Sequence, residues 1–218
     1  MKSRIGLWVL ASTLFAASIL LPCAVGQSSR SVDQGFNGTA ADPPVAVRPL
    51  TREERFHWFV DSSVGPKSLG AGVISAAWGT AFNNPEEYGP HWDGFAKRYG
   101  MRLTGIAASN AIEAGLGSVW GEDPRYSAAG EGTIWARVGH AAKMTVLANR
   151  ADGSVGPAYA RYAGISGSNF LSNTWRVESD STTGAAVKRI GFGFAGKFAG
   201  NVFDEFWPDL RRKVFRRK

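Results

Sequence analysis

The sequence predicts an all-α fold, a compact bundle of about five or six Gly/Ala-rich helices around a central helix near residues 92–120. The stretch from Phe95 to Trp120 contains no proline, and its large apolar residues recur at helical spacing on two faces. Because a helix with two apolar faces needs partners on both sides, this helix belongs in the middle of a bundle. The stretch also lacks the two-residue alternation of a strand, which disfavours a strand-rich fold.

The chain divides into a leader, a linker and one domain. Residues 1–26 carry Lys2 and Arg4, then an uncharged apolar run and small residues, which is the pattern of an export signal. An uncleaved anchor is the alternative, since the run is near the lower length limit of a spanning helix. Residues 27–50 hold scarcely any large apolar side chain and are predicted to be a disordered linker. Residues 51–218 follow as a single helical domain with a basic tail.

The single cysteine, Cys23, lies within the predicted leader. The predicted domain therefore contains no cysteine, which excludes disulfides, thiol nucleophiles and cysteine-ligated metals within it. We expect an exported protein of the periplasm or cell envelope whose stability depends on its packed core alone.

Two start signals define the first helices of the domain. Thr51 and Glu54 form a capping box, in which each side chain bonds the backbone N–H of the other residue. Pro66 opens a second helix at the first helical position, which proline favours. This helix is rich in glycine, which costs about 1 kcal/mol per residue relative to alanine. Close approach of another helix is expected to offset that cost.

Three further helices follow the central one. The patterns predict a helix over 133–149, a helix over 156–175 interrupted at 164–168, and a last long helix over 184–206. Short extended pieces are the alternative for residues 156–175. The Trp207-Pro208-Asp209 run is expected to end the last helix. A strip of glycines on the last helix is predicted to contact the central or the second helix: Gly193, Gly196 and Gly200.

Glu113 is the unusual residue of the central helix, because its neighbours four positions away are Ser109 and Gly117 and carry no charge. An isolated buried carboxylate costs several kcal/mol, so burial would require a cation from another helix. The alternatives are a catalytic or ligand-binding carboxylate and simple exposure to solvent. The candidate partners are Lys143, Lys188, Arg189 and Lys197, and His140 ranks after these four.

Few residues suggest chemistry. The candidate catalytic residues are Glu113, His91 and Asp93, which would form a polar pocket if the fold brought them together. No paired-histidine metal motif, serine nucleophile elbow or phosphate-binding glycine loop is present in the sequence. We therefore predict no cofactor and no metal, and a non-enzymatic role is favoured over an enzymatic one.

The C-terminus concentrates the positive charge of a chain whose formal net charge is +7. Such a tail suits an anionic surface, while the alternative is a solvated, frayed terminus. Leu210, Val214 and Phe215 add an apolar component that favours a membrane surface. The predicted binding residues are Arg211, Arg212, Lys213, Arg216, Arg217 and Lys218.

Three phrases, NNPEEYGPHWDGFAKRYGMRLTG, GSNFLSNTWR and EFWPDL, resemble uncharacterised exported bacterial proteins over roughly residues 51–215. The resemblance implies export but no activity. Together these observations predict an exported, non-enzymatic helical protein associated with a membrane face or an envelope partner, and nucleic acid is not an expected partner. The rival prediction is a hydrolase or small-ligand-binding protein with the Glu113, His91 and Asp93 pocket. The oligomeric state is left open.

Overall fold

The structure, a computed structural model, describes residues 49–215. The predicted leader, nearly all of the predicted linker and the last three basic residues of the tail lie outside this range. Within it the chain is predominantly helical, which confirms the all-α prediction. The six α-helices are α1 (Arg52–Val64), α2 (Pro66–Ala81), α3 (Trp92–Trp120), α4 (Ile134–Val146), α5 (Tyr159–Leu171) and α6 (Thr183–Phe215).

The first two helices begin where the sequence signals place them. The Thr51 hydroxyl accepts a hydrogen bond from the Glu54 N–H at 3.2 Å, and the Glu54 carboxylate accepts one from the Thr51 N–H at 2.9 Å. Pro66 is the first residue of α2. A methyl group on Gly72 would lie 2.8 Å from the Tyr99 ring of α3, so this glycine allows α2 to approach the central helix.

Helix α5 packs closely on α3 and runs without the predicted interruption at 164–168. A methyl group on Gly164 would lie 2.7 Å from the Ser109 carbonyl oxygen and 3.3 Å from the Glu113 Cβ. The small residues that suggested a break are therefore the contact surface between two helices. Close backbone packing repays the helix cost of glycine at this position.

A small three-stranded antiparallel sheet joins α3, α4 and α5. Its strands are β1 (Glu122–Asp123), β2 (Leu147–Arg150) and β3 (Val155–Pro157), in the order β1-β2-β3. The helix predicted over 133–149 therefore ends at Val146, and its last predicted residues extend into β2. The prediction is wrong here because pairing with β1 and β3 overrides the local helical pattern.

Helix α6 continues through Pro208 to Phe215, so the predicted end at the Trp-Pro-Asp run is wrong. A proline inside a helix removes one backbone hydrogen bond. Arg137 of α4 bonds on both sides of that position, to the Glu205 carboxylate at 2.9 Å and to the Asp209 carboxylate at 2.6 Å. This bridge ties the two turns that flank the proline.

The glycine strip of α6 has other neighbours than those predicted. A methyl group on Gly193 would lie 2.8 Å from Ile165 of α5, whereas one on Gly196 would meet nothing within 4 Å. Only Gly200 lies near a predicted partner, since a methyl group there would lie 3.7 Å from the Lys67 ammonium of α2. Helix α6 packs mainly on α4 and α5 rather than on α3.

The interior of the described residues is polar. Charged side chains are buried, and the buried apolar residues are small, mostly alanine. Large apolar side chains are instead exposed on every helix. The usual burial pattern of a soluble domain is therefore partly inverted. The buried apolar set is Ala76, Tyr88, Ala141, Met144, Ala148, Ala158, Ala160, Ile165 and Ala186.

Candidate functional site

Glu113 lies in the core and forms an ion pair with Arg161 of α5. The Arg161 Nε donates to the Glu113 carboxylate at 3.0 Å, and both side chains are almost wholly buried. Glu113 was expected to need a cation from another helix, and it has one. The cleft beside this carboxylate has no room for a water molecule.

Arg161 also binds the backbone where α4 ends. Its Nη1 lies within hydrogen-bond distance of the carbonyl oxygens of Met144 at 2.7 Å, Leu147 at 3.1 Å and Thr145 at 3.2 Å. The last carbonyls of a helix have no partners within the helix, so these bonds satisfy groups that burial would otherwise leave unpaired. One guanidinium thus joins α3, α4 and α5.

The partner of Glu113 is not among the five predicted cations. Arg189 bonds the Asp180 carboxylate at 2.8 Å, and His140 contacts the Ser127 carbonyl oxygen at 2.8 Å. Lys143 and Lys188 are exposed. Arg161 was not predicted as the partner. The sequence did contain a signal for it, since Arg161 is the only cation between the apolar residues of the α5 sequence.

Lys197 of α6 is the one predicted cation that lies near the pair. Burial lowers the pKa of its ammonium to about 8; the Glu113 charge opposes this shift and the Arg161 charge adds to it. Its nearest acceptor is the Pro124 carbonyl oxygen at 3.5 Å, which is a weak bond. The ammonium is therefore desolvated without full compensation.

This environment predicts a pH dependence of stability. The ordinary pKa of lysine is about 10.4, so between about pH 8 and that value the unfolded chain binds more protons than the folded one, and stability rises with pH. We expect the free energy of unfolding to rise by about 1–2 kcal/mol between pH 7 and 9.5. Lys197→Met should remove this rise, while the exposed Lys188→Met should retain it. Urea titrations at several pH values measure the effect, and an equal rise in both variants would contradict it.

The other two candidate catalytic residues lie far from Glu113. His91 is the residue just before α3, and Asp93 lies in its first turn, where it pairs with Lys97 at 3.4 Å. Glu113 is twenty residues further along the same helix, which corresponds to about 30 Å at the rise of an α-helix. The structure does not bring these three side chains into one cleft.

A second buried carboxylate, Glu205 of α6, holds the loop that precedes α4. It accepts hydrogen bonds from the Tyr126 hydroxyl at 2.5 Å, the Ala129 N–H at 2.9 Å and the Arg137 Nε at 2.9 Å. Burial alone would raise the pKa of Glu205, but the bonds from Tyr126 and Arg137 outweigh burial and lower it. The carboxylate is thus held in its charged form.

One open cavity of about 260 Å³ lies where the start of α1, the end of α3 and the sheet meet. It is lined by three arginines, two from the first turn of α1 and one from the distant strand β2, which the sequence analysis did not connect. The lining residues are Pro49, Leu50, Arg52, Arg55, Ser118, Gly121, Glu122, Asp123, Arg150 and Ala151.

The predicted anionic-surface residues divide into two groups. Arg211, Arg212 and Lys213 are exposed on the last turns of α6. The remaining predicted residues, Arg216, Arg217 and Lys218, lie outside the described range.

Within residues 49–215, no helix is long and apolar enough to cross a bilayer, and no group of three or more His, Cys, Asp or Glu side chains is placed to hold a metal ion. In comparisons with known proteins, no protein-family model, no curated protein and no solved structure matches this chain.

The surface of α6 contains a feature that the sequence only partly indicated. Phe203, Trp207, Leu210 and Val214 are all exposed, and the rings of Phe203 and Trp207 stack with centroids 5.1 Å apart. The predicted helix end at residues 207–209 hid the continuity of this row. A continuous helix makes these four residues one apolar stripe.

Proposed function

We propose that this chain is an exported, non-enzymatic helical protein that associates with an anionic membrane face through the C-terminal half of α6. The observation that carries the proposal is the exposed apolar stripe of that half, Phe203, Trp207, Leu210 and Val214, with cations beside it. A basic helix with one apolar face is typical of segments that lie in the interface of a bilayer.

The spacing of the stripe fixes its width. At about 100° per residue, the four positions fall within a wedge of about 60°. Arg211 and Lys213 lie on either side of this wedge at the same helix end. Cations at the edges and aromatic rings at the centre match the polar headgroups and the acyl boundary of a membrane.

The flanks of the same helix half are engaged with the domain. Asp204 pairs with Lys67 of α2 at 2.5 Å, and Asp209 pairs with Arg137 of α4 at 2.6 Å. The Lys67 ammonium also lies 5.7 Å from the centroid of the Phe203 ring, so this end of the stripe lies beside α2. Trp207, Leu210 and Val214 remain exposed, and the cations beside them are complementary in charge to anionic lipid.

Co-sedimentation with vesicles of phosphatidylglycerol and phosphatidylcholine tests the proposal. Each cation near an anionic surface contributes about 1 kcal/mol, so Arg211→Gln/Lys213→Gln should weaken binding about tenfold or more at low salt. Leu210→Ser/Val214→Ser should weaken binding at both low and high salt, because apolar insertion is not screened. Deleting residues 211–218 should have at least the effect of the double charge variant.

The matched control is Lys143→Gln/Lys188→Gln, which removes two exposed cations from α4 and from the opposite half of α6. It should retain binding close to that of the parent. Equal losses in the control and in Arg211→Gln/Lys213→Gln would reduce the effect to net charge and contradict the proposed surface. If binding does not change with lipid charge, with salt or in the apolar variants, an envelope protein is favoured as the partner.

The rival hydrolase or ligand-binding function has weaker support. Glu113 is held by Arg161 in a cleft without room for water, and His91 and Asp93 lie at the other end of α3. A general acid or base must reach its substrate within hydrogen-bond distance. The packing around Glu113 instead supports a structural ion pair.

A further inference from the structure

The open cavity at the start of α1 is built from three distant segments of the chain. Arg52 and Arg55 come from the first turn of α1, Gly121 follows the end of α3, and Arg150 ends β2. The backbone of Gly121 has φ +70°, a conformation that glycine adopts without strain. The cavity volume of about 260 Å³ is just below the usual range of about 300–1,000 Å³ for small-molecule sites.

The two carboxylates that line this cavity are already engaged. The Glu122 carboxylate accepts the N–H groups of Tyr159 at 3.1 Å and Ala160 at 2.9 Å, which are the first residues of α5. The Asp123 carboxylate accepts two side-chain nitrogens of Arg125, the closer at 2.8 Å, and the Arg125 backbone N–H at 2.9 Å. Both carboxylates thus form their side-chain hydrogen bonds with other groups, and the Asp123 charge acts on Arg55 without a hydrogen bond to it.

The arginines, in contrast, have little compensation. Among the described residues, Arg52 and Arg150 form no ion pair, and the buried Nε of Arg150 has no hydrogen-bond partner. Arg55 donates both terminal nitrogens to the Glu122 carbonyl oxygen at 3.1 Å, a neutral acceptor. Burial lowers the pKa of Arg55 by more than the nearby Asp123 charge raises it, which agrees with a desolvated cation.

The backbone also holds Arg150 in place. A methyl group on Gly156 of β3 would lie 2.8 Å from the Arg150 guanidinium carbon. Only glycine leaves room for the guanidinium to lie against the hairpin at this point. The cation is thus positioned by the sheet rather than extended into solvent.

We propose that this cavity binds a phosphate group through Arg52, Arg55 and Arg150. The planar guanidinium matches the oxygens of a phosphate with paired hydrogen bonds, which makes arginine the preferred residue for such sites. A phosphate would supply a charged acceptor that hydrogen-bonds to the guanidinium groups directly. The proposal does not depend on membrane association by α6, and the phosphate can belong to a soluble phosphomonoester or to a lipid headgroup.

Isothermal titration calorimetry with inorganic phosphate and glycerol 3-phosphate, in a buffer free of phosphate and sulfate, tests the site. The parent protein should bind both, and Arg150→Gln should weaken binding about tenfold or more, as expected for loss of a charge-assisted pair. Arg150→Lys keeps the charge but loses the planar fork, so its phosphate affinity should lie between that of the parent and that of Arg150→Gln. Arg52→Gln gives a second test that does not touch the sheet, because Arg52 is exposed at the start of α1.

The matched control is Lys188→Gln, which removes the same charge from an exposed position in the first half of α6 and should leave phosphate binding unchanged. Circular dichroism verifies that each variant is folded. The proposal is overturned if the folded parent binds neither compound, or if Lys188→Gln weakens binding as much as Arg150→Gln and Arg52→Gln do.

Vesicles distinguish the two sources of the phosphate. Phosphatidic acid carries a phosphomonoester, whereas phosphatidylglycerol carries a diester of the same sign. If the headgroup is the ligand, Arg150→Gln should weaken binding to phosphatidic acid more than to phosphatidylglycerol. If Arg150→Gln leaves the ratio of phosphatidic acid binding to phosphatidylglycerol binding unchanged, while the parent binds phosphate in the calorimeter, the ligand is a soluble phosphomonoester. Failure of α6 variants to alter vesicle binding would count against the proposed function and leave the phosphate result unaffected.

Discussion

Replacing Arg161 with methionine is expected to lower the free energy of unfolding by about 3–5 kcal/mol. Methionine retains much of the side-chain volume, but it leaves the Glu113 carboxylate buried without a cation. It also removes the donor that serves the carbonyl oxygens of Met144, Thr145 and Leu147. Urea unfolding followed by circular dichroism measures the loss, and a variant as stable as the parent would refute the structural role of the pair.

A second substitution separates the two contributions. Adding Glu113→Leu to Arg161→Met removes the stranded charge, so the double variant should be more stable than Arg161→Met alone. It should remain less stable than the parent, because the carbonyl oxygens at the end of α4 still lack a donor. Glu113→Gln alone should cost about 1–4 kcal/mol, since the guanidinium keeps its backbone partners. Arg211→Met, on the exposed end of α6, should leave stability unchanged.

The need for this ion pair could be predicted from the sequence, but its partner could not. A carboxylate on a helix with two apolar faces requires a cation, and that inference holds for Glu113. Arg161 lies 48 residues away, in a segment whose glycine-rich pattern suggested a broken helix. The contact depends on how closely Gly164 lets α5 approach α3, which is a property of the packed pair of helices.

Two errors in the predicted elements have the same physical origin. Leu147 continues the apolar period of α4, yet it enters β2 because it pairs with Pro157 of β3, and the next residue, Ala158, donates its N–H to the Val146 carbonyl oxygen at 3.1 Å. Pro208 normally ends a helix, yet α6 continues because Arg137 ties the turns on both sides. In both cases a tertiary partner outweighs a local preference. The capping box and Pro66 were predicted correctly because their signals are complete within one turn.

The candidate surfaces show how far local patterns reach. The cations of the tail could be predicted because they are consecutive, whereas the apolar stripe from Phe203 to Val214 becomes continuous only when α6 is continuous. The arginine-lined cavity that we propose to bind phosphate had no sequence signal. Arg52 and Arg150 meet there because α3 returns the chain to α1 and the hairpin closes beside them.

Glu205→Gln is expected to destabilise the fold by about 2–4 kcal/mol, although the amide has nearly the shape of the carboxylate. The parent carboxylate accepts three donors, from Tyr126, Ala129 and Arg137. An amide offers one oxygen acceptor and places an N–H₂ group against the remaining donors, so at least one buried donor loses its partner. Because Glu205 is fully buried, water cannot replace that bond.

The matched control is Asp209→Asn, which alters the other carboxylate on the same Arg137. Asp209 is 44% exposed, so solvent can replace the lost bond and the destabilisation should be clearly smaller than that of Glu205→Gln. Equal losses would mean that burial does not set the strength of these bonds.

Acid titration separates Glu205 from a purely steric effect. The pKa of Glu205 is lowered in the folded state, so its contribution to stability is present above the ordinary carboxyl pKa of about 4.3 and is lost as the pH falls through the folded value. The gap in unfolding free energy between parent and Glu205→Gln should therefore narrow as the pH falls below about 4. If this difference in unfolding free energy stays constant down to the acid transition, the amide acts by its shape alone. The charge of Glu205 would then not explain why α6 continues past Pro208.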